Sequence, residues 1–206
     1  MNQHLLHLTL FTCLLGTLPA LAEAQRVNFG LFATDGISIT ATGAGELNFN
    51  QKAGIILAGK QSVQILKTDD QAVILEIEGR IDLDVTLSID ADPNLVLQVG
   101  TNSYEIPLSV NFAYHNAGPG GLSDEIIKLQ AIEVPSGFNG ATFAMRRRTA
   151  GPPTPPPTPD HQGHAQPLGK SYVVIYGTMG QVPINSPVGL YMATINVKVE
   201  YATHEP

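Results

Sequence analysis

Near its carboxyl end the chain reads Gly189-Leu190-Tyr191-Met192-Ala193-Thr194-Ile195-Asn196-Val197-Lys198-Val199-Glu200-Tyr201, alternating apolar and polar side chains almost without a break. A period of two is the mark of a β-strand with one dry face and one wet face. Tyr191, Ala193, Ile195, Val197, Val199 and Tyr201 are expected to point into a core, with Thr194, Asn196, Lys198 and Glu200 toward water. Such a strand belongs to a sandwich or a barrel, and an all-β domain is the expected class.

The preceding sequence repeats the pattern in shorter pieces. Val27, Phe29, Leu31 and Ala33 alternate within Arg26 to Ala33, and Thr34-Asp35-Gly36 punctuates them. Ile37 to Ala41, Glu46 to Phe49, Ser62 to Leu66 and Val73 to Glu78 read as further short strands. In Ile81 to Asp90, five aliphatic residues interleave with aspartates and hydroxyls. Tyr104 to Tyr114 alternates again with Pro107 on the outward set, and a proline that cannot donate belongs at an edge or a bulge. Only Ser123 to Val134 has helical potential, for a turn or two. The expected total is about nine short strands at sandwich spacing.

Residues 149–169 change character, with Gly151-Pro152-Pro153-Thr154-Pro155-Pro156-Pro157-Thr158-Pro159 at their centre. A run of prolines cannot pair in a sheet, so a flexible Pro-rich loop is expected there. Too few residues follow it for a separate core, so it is read as an insertion into one domain spanning 23–206.

The first two dozen residues read as a secretory leader: an apolar run from Leu5 to Leu15, a break at Gly16 and Pro19, then small residues at Ala20, Ala22 and Ala24. Residues 1–22 are the expected signal peptide, with cleavage after Ala22 preferred and after Ala24 as the alternative. The run is shorter than the roughly 20 residues a spanning helix needs, so no transmembrane segment is expected in the mature chain. Cys13, the one cysteine, lies inside the leader. The mature domain would therefore have no disulfide and depend on its core. The expected destination is the periplasm, the cell surface or the medium.

Charged residues make up 14% of the chain, with 11 basic against 18 acidic. That balance argues against an electrostatic grip on nucleic acid. Asp90-Ala91-Asp92-Pro93-Asn94 begins like a calcium loop, but Leu95 stands where glycine is needed and Thr101 where a bidentate glutamate is needed. His161 and His164 sit in the Pro-rich segment without a third strong ligand. Asp82 and Asp84 share the wet face of a strand, where carboxylates discourage edge aggregation. Arg146-Arg147-Arg148 is read as a solvated loop base. No phosphate loop, nucleophile elbow or His-Glu metal motif is present, so neither catalysis nor a cofactor nor a metal is expected.

The order of segments resembles the DUF4402 family of secreted bacterial β-sandwich domains, related in outline to the spore coat U and fimbrial subunit families. Ile37 to Ala41 followed by Glu46-Leu47-Asn48-Phe49 is similar to the family's opening strand and LNFG element. Val182 to Pro187 followed by Gly189 to Tyr201 is similar to its closing PxGxYxxTxxVxVxY strand. Asn50 replaces the expected glycine, and the Pro-rich segment is an addition. The resemblance implies an immunoglobulin-like antiparallel sandwich at the cell envelope, and the family it points to has no well-established activity.

Its fimbrial side implies a mechanism. Subunits lacking one strand are completed by the N-terminal arm of the next through β-strand addition, with help from a periplasmic chaperone. Here the donor arm would be Val27, Phe29, Leu31 and Ala33, inserted beside the terminal strand of another copy or a related subunit. The alternative is that the arm is the first strand of its own domain, giving a monomeric surface or matrix binding module. A carbohydrate-binding module would need a row of exposed aromatics, and the chain has no Trp and only six Tyr.

Overall fold

The computed structural model of the protein describes residues 25–34, 36–42, 45–59, 62–116, 121–146 and 168–202. The expected leader, the proline run, Arg147, Arg148, His161, His164 and His204 lie outside the described residues.

The described chain is all-β, as expected, with two short helices. Its elements are β1 (Arg26–Ala33), β2 (Ser38–Thr42), β3 (Leu47–Asn48), α1 (Phe49–Ala53), β4 (Val63–Ile65), β5 (Val73–Arg80), β6 (Asp84–Ala91), β7 (Asn94–Val99), β8 (Asn102–His115), α2 (Asp124–Gln130), β9 (Ile132–Glu133), β10 (Gly140–Ala144), β11 (Leu168–Met179) and β12 (Met192–Tyr201). The strand total exceeds the expected nine. The two-residue β9 is too short for periodicity to register, and β7 and β10 lie outside the expected strands.

The hydrogen-bonded ladder is one curled sheet with two halves joined through β8. In the first half β12 is central, with β1 along one edge and β6 along the other, and β10 lies outside β6. In the second half β11 is central, between β8 on one side and β5 and β4 on the other, and β2 lies outside β5.

Pro107 sits at the joint. Residues 102–107 of β8 pair with β7, and residues 108–115 pair with β11. Proline's missing donor falls where the strand changes partners, and its carbonyl accepts from the Gly180 amide at 2.7 Å.

All pairings among the described strands are antiparallel but one, so the expected antiparallel sheet is in fact mixed: β1 runs parallel to β12. A hairpin forces opposite directions, but β1 and β12 stand at opposite ends of the chain and no turn links them.

Two local readings shift. The strand expected from Ile81 starts only at Asp84, because residues 81–83 form a turn. The strand expected over Glu46 to Phe49 ends at Asn48, whose side chain accepts from the Gln51 amide at 3.1 Å and so caps α1. The turn or two of helix expected between Ser123 and Val134 is α2. Its Ile127 is buried, and Lys128 donates to the Asp69 carbonyl at 2.7 Å.

Candidate functional site

The site to which the sequence points is the edge of the terminal strand. Tyr191, Ala193, Ile195, Val197 and Val199 are all buried, and Tyr201 is half-buried. Asn196 and Lys198 are exposed, with Thr194 and Glu200 intermediate.

Along this edge lies β1, with Val27 opposite Ala193, Phe29 opposite Ile195, Leu31 opposite Val197 and Ala33 opposite Val199. Main-chain bonds close both ends. The Arg26 amide donates to the Tyr191 carbonyl at 3.1 Å, and the Thr34 amide donates to the Val199 carbonyl at 3.2 Å.

The four arm residues are not equivalent. Val27 is fully buried and also faces Leu47 of β3. Phe29 and Leu31 are partly buried against the core, whereas Ala33 is exposed, contrary to its expected inward place. The arm is thus anchored at its start and loosens toward its end. Burying a side chain the size of Val27 is worth about 1.5–3 kcal/mol.

On the outer face Phe32 is 57% exposed. A Cβ at Gly30 would meet both the Phe32 ring and Asn196 Oδ1. With hydrogen alone at Gly30, the Asn196 side chain and the Phe32 ring lie close over the strand, and a larger residue would make those two exposed side chains move. Arg26 and Val27 pair with β3, but beyond them the outer edge of β1 carries no ladder among the described residues.

The exit from the arm is clipped. Gly36 adopts φ 82°, a left-handed conformation that glycine takes without strain, and the Ile37 amide donates to the Thr34 carbonyl at 3.1 Å. Tyr201 then bridges two elements: its hydroxyl donates to the Gly36 carbonyl at 2.8 Å and accepts from the Arg80 amide at 3.0 Å. Alternation alone marked Tyr201 as inward, and its role as a clip rests on the phenol, which periodicity does not read.

The Tyr191 hydroxyl donates to the Pro187 carbonyl at 2.9 Å. Burial raises its pKa above the ordinary phenol value, with a hydrogen bond to Ser186 acting against that shift, so it stays a donor at neutral pH.

No family model matches the chain, and no curated protein matches it.

The other residues singled out by sequence serve the fold. Asp92 Oδ2 accepts from the Thr194 amide at 2.8 Å, Asn94 donates to Glu105 at 2.8 Å, and Leu95 is fully buried. The calcium-like run therefore spans the end of β6, the link and the start of β7, and its Asp92 carboxylate is engaged by a main-chain donor. Asp82 is held by Arg80 through two bonds of 3.2 and 2.8 Å, and the hydrogen bond from Arg80 lowers its pKa. Asp84 opens β6 and faces Ala144 of β10. Arg146 is exposed at the end of the strip after β10.

His115 is buried and bonded to Gln130 at 3.2 Å. No group of three or more metal-ligating side chains occurs among the described residues. Tyr114 stands opposite Val173 and Tyr176 opposite Asn111, which places the two tyrosines on opposite faces of the β8–β11 pair. Tyr114 is stacked on Phe143 with ring centroids 4.5 Å apart. No helix among the described residues is long and apolar enough to cross a membrane.

Proposed function

We propose that the protein is a non-enzymatic, exported envelope or surface subunit that assembles through the edge of its terminal strand. In this reading its immunoglobulin-like strand order serves as a scaffold for β-strand addition, as the resemblance to DUF4402 domains and fimbrial subunits suggests. The observation that carries it is the seating of β1, an uncharged strand from Val27 to Ala33 that lies on the β12 edge and, among the described residues, leaves most of its own outer edge unpaired. Within one chain the arm fills its own groove. In an assembly the same residues of another copy would fill it with the same register, because the groove meets identical side chains either way. A periplasmic chaperone would hold the groove before exchange.

A second reading is favoured by the same pairing taken at face value. Eight residues of β1 pair with β12 in the same chain. A protein so completed needs no donor and would be a monomeric surface or matrix binding module.

Light scattering on the mature chain, compared with a version lacking residues 23–35, separates the two. Polymers resistant to heat, together with a truncated form that is an unstable monomer rescued by a Val27-to-Ala33 peptide, support the subunit. A stable monomer in both cases overturns it and leaves the self-contained module.

A further inference from the structure

Five polar residues are buried among the described ones: Gln25, Asn48, His115, Lys128 and Ser171. Four of them have side-chain partners. Asn48 bonds Glu46 and the Gln51 amide, His115 bonds Gln130, Lys128 bonds the Asp69 carbonyl, and Ser171 bonds Met145. Gln25 is the exception. Its side chain is fully buried, and neither its Nε2 nor its Oε1 has a hydrogen-bond partner.

A buried primary amide without partners is costly, on the order of 1–3 kcal/mol. The cost falls at a telling place. Gln25 directly precedes β1, its backbone nitrogen donates to Asn50 Oδ1 at 3.4 Å, and the next amide is tied to Tyr191. The residues before it are Ala22-Glu23-Ala24, one of the two leader cleavage sequences read above.

We propose that the leader is removed after Ala24 and that the new terminal Gln25 is cyclised to pyroglutamate. The inference rests on the export reading made above. The α-amino nitrogen of Gln25 attacks the side-chain Cδ; a ring C–N bond forms, the Cδ–Nε2 bond breaks, and ammonia leaves. No electrons are transferred and no co-reactant is consumed. The product fits the site better than either open form. Cleavage after Ala24 without cyclisation would place an ammonium where the chain is buried, which is strongly disfavoured unless the charge is paired. Glu46, the carboxylate near this point, is already engaged by Arg26 at 3.7 Å and Asn48 at 3.3 Å. The lactam is neutral and has lost the Nε2 donor, so that of the two unpartnered groups only the carbonyl is left, and its ring N–H is the same nitrogen that donates to Asn50. Cleavage after Ala22 would leave Gln25 internal and its amide unpartnered. Closure takes place before β1 docks, while the terminus is still free.

The test is the amino terminus of the protein exported from the full chain in a Gram-negative host, read by intact mass and by sequencing of the terminal peptide. The expected result is a chain that begins at residue 25 and is lighter by one ammonia than the open form. Pyroglutamyl aminopeptidase should unblock it after denaturation but not while native, because residue 25 is buried. A Gln25→Ala variant should begin at the same position with a free amine. A start at Glu23, an open Gln25 or a blocked Gln25→Ala variant would overturn the proposal and leave the export reading standing. A retained leader would overturn both.

Discussion

The two flanks of β12 present a comparison. On one side β6 runs antiparallel to it from Ile195 to Tyr201, and β6 is itself covered by β10 along its other edge. On the other side β1 runs parallel over a similar length, yet past Val27 its outer edge has no strand beyond it among the described residues. Both flanks satisfy the main chain of β12, but only one is built into the sheet from both sides. Pairing along a single edge thus says little about how firmly a strand is held. What distinguishes the flanks is the second edge and the depth of the side chains, which are buried along β6 at Val85, Leu87 and Ile89 but along β1 only at Val27.

The largest expected effect lies on the β6 flank. Leu87 is fully buried opposite Val199. Leu87→Ala should lower the unfolding free energy by about 2–5 kcal/mol in denaturant titration, with fluorescence and circular dichroism moving together. A smaller loss, or separated transitions, would break the claim that this flank belongs to the cooperative core.

On the β1 flank the matching change is Val27→Ala, with an expected loss of about 1–2 kcal/mol from the methyl groups removed. Its signature should be local. Amide hydrogen exchange should accelerate from Asn28 to Ala33 while Val85 to Ile89 keeps its protection, since elements with an open edge and few buried contacts open on their own. Equal acceleration on both flanks would erase the distinction. A graded result, strongest at Leu31 and weakest at Asn28, would instead sharpen it by following the loss of burial along the arm.

Tyr201→Phe tests what holds the arm's exit. The substitution keeps the ring and removes the bonds to the Gly36 carbonyl and the Arg80 amide. A cost of about 1 kcal/mol is expected, again with faster exchange in β1. No change in the exchange of β1 would mean that the clip fastens β5 and not the arm.

The legibility of the chain follows the same physics. β12 was readable in full because its outer face is wet and its inner face dry, so every second residue reports its side. β11 was readable only in part, over Tyr172 to Tyr176, since Tyr172, Val173, Val174 and Ile175 are buried consecutively, and a strand covered on both faces loses its period. α1 was missed because it is too short for a helical period, and the one signal that marks it is Asn48 acting as a cap. The direction of β1 was hidden for a different reason: alternation tells which face a residue takes and nothing about the direction of the partner. At the candidate site, the arm residues and the terminal strand were legible as a pattern. The hydroxyl of Tyr201 and the unpartnered amide of Gln25 were not, because both depend on groups far away in sequence.

The smallest effect expected concerns the ground beneath β3, the one strand on the outer edge of β1 among the described residues. α1 follows β3 directly, and its Lys52 pairs with Asp69 at 2.8 Å. Burial alone would raise the Asp69 carboxyl. The hydrogen bond from Lys52, the Leu66 amide and the charges of Lys52 and Lys128 outweigh it, and the pKa is held below the ordinary value. The carboxylate is therefore bound more tightly in the folded chain than in the unfolded one. Its contribution is complete at pH values above the ordinary carboxylate pKa and is lost as the pH falls through the depressed folded value. Stability measured down an acid series should decline in that window, and Asp69→Asn should remove this part of the decline at a cost of about 1 kcal/mol near neutral pH. If β3 depends on α1, exchange of the Arg26 and Val27 amides should quicken in Asp69→Asn while that of Phe29 to Ala33 stays unchanged. Quickening along the whole arm would mean that β3 fastens all of β1, and the two flanks of β12 would then differ less than their pairing suggests.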